Sequence, residues 1–329
     1  MKLISRSRSF IGLVVTLGFL ASPLVIWANR HAIYDWWRLH GYRPPAAITA
    51  YADQTTMTPL ARHDLYINHP ALVSDANSFH RDCPNSEQTI VLGCYLSVET
   101  GIYVYQIGDS RLKGVEQVTT AHETLHAAYE RLSASDRKNV DGLLNNYYQH
   151  GLHDQRVIAV MKDYQKTEPN DLVNEMHSVF GTEIADLPPA LEAYYQRYFS
   201  NRHAVVAFSA SYEAEFTNRT NQIKADDTTL AGQKAAIEAQ ENNLQAQLAK
   251  LNSDRNHLDQ LKSSGQIDDY NAGVAAFNAA VEAYNVGVSR LHSMIAAYNL
   301  LVTNRNAIAS DLRQLTQAID TRLSTQSGR

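Results

Sequence analysis

Over its last 125 or so residues the chain places an apolar residue at every seventh position: Phe216, Ile223, Leu230, Ile237, Leu244, Leu251 and Leu258. Ser263-Ser264-Gly265 interrupts the pattern. It resumes with Tyr270, Val274, Phe277, Val281, Tyr284, Val288, Leu291, Ile295, Tyr298 and Val302, in alternating steps of four and three. A seam with that period keeps two helices in contact only if they wind round each other with a left-handed twist. The two arms hold about 55 residues each, so at 1.5 Å per residue they predict an antiparallel coiled-coil hairpin roughly 80 Å long over residues 205–329. The other seam position of the first arm is polar (Arg219, Asp226, Gln233 and Gln240), which leaves a thin stripe open to self-association or to an envelope partner. Asn271, Asn278, Asn285 and Asn299 each follow a seam aromatic; they set register or partner choice, or simply face solvent.

Upstream the pattern changes. Residues 89–97 and 101–107 are rich in β-branched and aromatic side chains, and Val98-Glu99-Thr100 separates them, which predicts a β-hairpin. After a turn at Asp109-Ser110, Val118, His122, Leu125, Tyr129 and Leu132 follow a 3.6-residue period and predict an amphipathic helix. Further helices are predicted at about 135–149 with Ser135 as cap, about 154–166, about 170–180 and about 189–200, where Pro188 and Pro189 suit a first turn. A small sheet followed by helices is an α+β pattern, here assigned to residues 31–204, with Tyr42-Arg43-Pro44-Pro45 as a linker near its start.

The segment 10–28 is apolar and uncharged, and about 19 residues suffice to cross a bilayer. Lys2, Arg6 and Arg8 precede it. Residues 1–30 therefore predict a cytoplasmic tip and a single transmembrane anchor of the cell membrane, with the bulk of the chain outside. Trp27, Trp36 and Trp37 fit an aromatic belt at the far interface, or the core of the next element. A cleaved signal peptide, leaving a secreted protein, is the alternative, although Pro23 and Ile26-Trp27-Ala28 make a poor cleavage site. Cys83 and Cys94 suit an oxidising compartment. A disulfide between them would stabilise by roughly 2–3 kcal/mol, two buried thiols being the other reading. A net charge of −5 without a basic stripe gives no footprint for nucleic acid.

The candidate chemistry sits in His122-Glu123-Thr124-Leu125-His126. On a helix the two imidazoles, at i and i+4, share a face and can both reach one Zn²⁺ at about 2.0–2.1 Å. Glu123 lies round the helix, within reach of a water held by the metal, which is the division of labour of a metal hydrolase. A chance match on an ordinary buried helix competes with that reading. Two ligands are too few. Glu175 is the leading third ligand, because Leu172, Glu175, Met176, Val179 and Phe180 make an inward stripe on which an unsatisfied carboxylate is costly. His177, about 200° round that helix, and Glu183, in a loop after Gly181-Thr182, are the alternatives. Tyr129 and Leu132 stand where a metzincin needs Gly and His, which excludes that continuation.

With HExxH on one helix and Asn174-Glu175 on a later one, the chain resembles a gluzincin-type zinc metallopeptidase. The stretches Ala121-His122-Glu123-Thr124-Leu125-His126-Ala127-Ala128-Tyr129 and Asn174-Glu175-Met176-His177-Ser178 are similar to those of membrane-anchored bacterial proteins with a coiled-coil tail. The resemblance spans about a third of the chain and rests on those two short motifs. It implies a small zincin-like domain holding Zn²⁺ on His122, His126 and Glu175, with hydrolysis of a peptide or protein substrate. Glu123 would take a proton from the zinc-held water and hand it to the leaving amine. It implies also an oxyanion donor, for which His177, Tyr147, Tyr194 and Tyr195 are candidates, and a hairpin at 89–107 that pairs with extended substrate. The alternative is a non-catalytic coiled-coil protein of the cell envelope with a structural or degenerate zinc site.

Overall fold

The computed structural model describes Trp27 and residues 29–84, 91–97, 100–167 and 169–321. The basic tip and all of the apolar segment but Trp27 lie outside the described residues. Among those described, no helix is long and apolar enough to cross a membrane.

The chain forms two units. One is built from residues up to Tyr212 together with the chain from Ile319 onward, and the other is Glu213–Ala318. The first contains α1 (Arg30–Leu39), α2 (Ala46–Gln54), α3 (Pro59–Tyr66), β1 (Ala71–Val73), α4 (Ala76–Asp82), β2 (Gly93–Ser97) and β3 (Gly101–Tyr105). There follow α5 (Val115–Glu130), α6 (Ala134–His150), α7 (Gln155–Thr167), α8 (Leu172–Glu183), α9 (Pro189–Tyr195) and the start of α10 (Arg202–Ser263). The α+β expectation holds: among the described residues the unit is mostly helical around a three-stranded sheet.

The predicted hairpin is β2–β3, antiparallel, pairing Cys94 with Tyr103 and Tyr95 with Ile102. A strand that the periodicity did not mark, β1, adds parallel to β3, so the order is β1-β3-β2 and β2 lies at an edge. Several boundaries move for identifiable reasons. Ser133, not Ser135, caps α6, its hydroxyl accepting the Asp136 N–H at 3.1 Å. The eighth helix runs on to Glu183, which therefore occupies its last turn rather than a loop. The ninth stops at Tyr195, short of the expected 200; Phe199 beyond it bridges to Met57. The first unit also extends past residue 204 because Val205 and Ser209, on the opening turns of α10, are buried there. At the other end of the chain Thr321 returns, its hydroxyl donating to the Val91 carbonyl at 2.8 Å.

Two devices fix α8, one at its contact with α5 and one at its C-terminal end. At Gly181 a β-carbon would lie 2.5 Å from Leu125 Cδ1 and 2.7 Å from Tyr195 Cε1, so only glycine allows the helices to approach this closely. Arg202, fully buried, caps the far end of α8: it donates to the carbonyls of Ile184 at 2.5 Å and Ala185 at 2.9 Å, and to Glu192 at 2.7 Å. The guanidinium thus satisfies carbonyls that the helix itself leaves without partners.

The second unit is an antiparallel pair of helices, the rest of α10 and α11 (Ile267–Ile319), turning at Gly265. Leu244, Leu251 and Leu258 are buried as the heptads require. Two of the polar seam residues have partners across the pair: Arg219 meets Asp311 at 2.5 Å, and Gln240 donates to the Gly287 carbonyl at 3.0 Å. Asp227 and Arg305 add a further cross-link at 2.8 Å.

Candidate metal centre

The fifth helix is anchored where it begins. Glu116, in its first turn, accepts the Ile107 N–H at 2.8 Å and the Tyr51 hydroxyl, so an acid sits at the positive end of the helix dipole and ties it to the sheet and to α2. Two turns further on, His122 and His126 project from one face. Their Nε2 atoms lie 3.0 Å apart. Glu175, delivered by α8, places Oε1 3.5 Å from His126 Nε2 and Oε2 3.8 Å from His122 Nε2.

These three residues form a group that can hold a metal ion. Tetrahedral ligands at 2.0–2.1 Å from one ion stand about 3.3 Å from each other, and the three spacings bracket that figure. Protonation agrees with geometry. Burial, reinforced by His126 and His177, holds His122 well below the usual histidine range, so its nitrogen is a neutral lone-pair donor at neutral pH. Of the three third-ligand candidates, Glu175 is the one brought to the histidines. Glu183 lines the same cleft but is held by Arg156 at 2.5 Å.

Glu123 is also buried and also faces the cleft. Burial pushes its carboxyl up to about 7; Glu175 pushes the same way, while His126 and the backbone N–H of Tyr95 oppose. The backbone contact depends on Gly93. A β-carbon there would fall 2.4 Å from Thr119 Cγ2 and 2.9 Å from Glu123 Oε1, so the glycine lets β2 lie directly against α5. Periodicity does not mark Gly93, but an isolated glycine within a strand pattern is the usual sign of close backbone approach.

The cleft has a volume of about 530 Å³. Residues of β2 line it, and so do Asp163, Tyr164, Asp171 and Asn174 from the α7–α8 region. The disulfide between Cys83 and Cys94, with Cα atoms 6.0 Å apart, forms part of the wall and secures β2 to the end of α4. Among the described residues that line the cleft none is Lys or Arg, whereas Glu123, Asp163, Asp171, Glu175 and Glu183 all carry carboxyl groups.

The expected oxyanion donors are elsewhere. His177 is completely buried, its Nε2 2.8 Å from the Tyr194 hydroxyl and its ring packed on Tyr129, Tyr194 and Tyr195. Burial, with the charge of His126, lowers it to about 3. The Tyr195 hydroxyl donates to the His177 carbonyl at 2.7 Å, and Tyr147 reaches the Asp186 carbonyl at 3.4 Å. None of His177, Tyr147, Tyr194 or Tyr195 lines the cleft. Two steps past Glu175, the helix has turned His177 into the core.

Comparison of the chain with family models, with curated proteins and with solved structures found no match.

Proposed function

We infer that the protein is a zinc-dependent peptidase of the cell envelope, held at the membrane by residues 10–28, with the helical hairpin as a spacer or partner arm. One observation carries the reading: two imidazoles and a carboxylate from separate helices converge beside a buried glutamate in a cleft bordered by an edge strand. Two histidines and one carboxylate, with a position left for water, are a donor set of catalytic zinc sites. When bound, the ion supplies a Lewis acid that acidifies water and polarises a carbonyl.

The chain's own residues do the rest. Glu123, raised towards neutrality by burial, takes a proton from water near neutral pH and returns it to the leaving amine. The Tyr95 N–H and the absence of a side chain at Gly93 hold that carboxyl in place. The β2 strand borders the cleft at the sheet edge, where an extended peptide pairs by strand addition. Carboxylates without cations among the described lining residues favour substrates that carry positive charge. A purely structural site would have no use for Glu123, whose burial as an acid is costly.

The test is zinc content by elemental analysis on the full chain, together with a fluorogenic peptide library. The expected result is about one zinc per chain, kept in Glu123→Gln and lost in Glu175→Ala, with hydrolysis in the wild type alone. Folded wild-type protein without zinc, or hydrolysis indifferent to Glu123→Gln, would overturn the reading.

A further inference from the structure

The first helix is amphipathic in the reverse sense for an element on the surface of a folded unit. Its charged side points inward. Asp35 is buried and accepts two bonds from the Arg131 guanidinium, at 2.5 and 3.3 Å, with His63 Nε2 3.6 Å away. Arg38 Nε donates to the Ile67 carbonyl at 2.9 Å, and the Arg38 carbonyl lies 2.8 Å from His69 Nε2. The outward side carries Ile33, Trp36 and Trp37, at i, i+3 and i+4, which are 48%, 65% and 65% exposed, and Trp27 just upstream is 66% exposed. An indole left in water forgoes the burial of about 150–250 Å². Two of the chain's three tryptophans are spent on this one face, and the third stands exposed just before it.

We propose that this face lies in the interfacial layer of a lipid bilayer, with the indoles of Trp36 and Trp37 at headgroup level. The chain itself argues for lipid. The run that ends at Trp27 is apolar and uncharged back to Phe10, and it needs far more covering than four side chains can give. Face and run call for the same apolar partner. The side chains are also of the right kind, since tryptophan, apolar in body with one N–H, prefers the boundary between acyl chains and water. Arg30 stacks 4.8 Å from the Trp27 ring and donates to the Trp27 carbonyl at 3.1 Å, which sets a cation beside the indoles for lipid phosphate.

The consequence is orientation. Asp35 is clamped to Arg131, the residue that ends α5, and Arg131 also meets Asp64 on α3 at 3.2 Å. A bilayer that holds α1 therefore holds the metal-bearing helix at a set angle to the membrane.

Because the chain has no other tryptophan, its tryptophan emission reports on α1 and the residue just upstream, and removing Trp27 confines it to this face. Full-length Trp27→Phe/Trp36→Phe and Trp27→Phe/Trp37→Phe, each with one indole left, are reconstituted in phosphatidylcholine–phosphatidylglycerol vesicles after their helicity has been checked. The expected result for both is a blue-shifted emission, loss of quenching by aqueous acrylamide, and quenching by lipid brominated near the glycerol end of the acyl chain. Water-like emission open to acrylamide overturns the proposal, as does failure to associate with vesicles. Protection from acrylamide without quenching by brominated lipid also overturns it, because a second copy or the segment 10–27 would then cover the face.

Discussion

The compact unit and the helical hairpin use polar residues in opposite ways. In the first, Glu123, His126, Glu175, His177 and Arg202 are all buried, each tied to particular partners. In the second, the buried positions among the described residues are Leu244, Leu251, Leu258, Leu315 and one acid, Asp226. Each buried polar group must find its partner or lose several kcal/mol, whereas one leucine in a repeated stripe is backed by its neighbours. Single substitutions should therefore act on chemistry and on global stability in the compact unit, and only locally in the hairpin.

The largest expected effect is on chemistry. Glu123→Gln should lower hydrolysis by about 10²–10⁴-fold without lowering thermal stability, since it removes a buried acid, as steady-state assays and calorimetry of one preparation would show. Arg202→Met comes next. Removing the guanidinium strands the Ile184 and Ala185 carbonyls and Glu192, and should cost about 3–5 kcal/mol in urea unfolding. In the hairpin, Leu251→Ala should cost about 2 kcal/mol, at the low end for a buried leucine because the site is at the edge of a thin seam. It should leave hydrolysis unchanged; a fall like that of Glu123→Gln would break the contrast between the units.

A smaller effect sharpens it through pH. In the unfolded chain His177 takes up a proton around pH 6.5, which the folded state refuses until about pH 3. Its contribution is complete above the unfolded value and is lost as pH falls between the two. Metal-free protein should lose stability across that window, with a slope approaching about 1.4 kcal/mol per pH unit for each such histidine. Urea midpoints measured against pH should fall less steeply in His177→Asn, where His122 still contributes, and stay as steep in Leu251→Ala. Equal slopes in wild type and His177→Asn would show that another group carries the acid sensitivity.

How far each region could be read in advance follows the same division. The hairpin was legible because its information is one-dimensional: the seam from Phe216 to Val302 needs only a period and a break at Gly265. The pair His122 and His126 was legible for the same reason, since i and i+4 on one helix are neighbours whatever surrounds them. Helices α1 to α4 and strand β1 were not, because elements of three to ten residues are too short for periodicity to stand out. His177 misled. A histidine two residues from Glu175 shares its neighbourhood in sequence but faces the other way on the helix.

By itself, the sequence determined the helical hairpin, the HExxH helix, the β2–β3 pairing and the inward placement of Glu175, because each depends on local spacing and on a face that must be buried. Only the tertiary structure decided which side chains meet. It selected Glu175 over Glu183 by giving Glu183 to Arg156, moved His177 into the core, set Gly93 against Glu123, and turned the tryptophans of α1 outward by burying Asp35 against Arg131. Those pairings join residues up to about a hundred positions apart. The free energy that selects them is close packing and charge satisfaction in three dimensions, which no local period encodes.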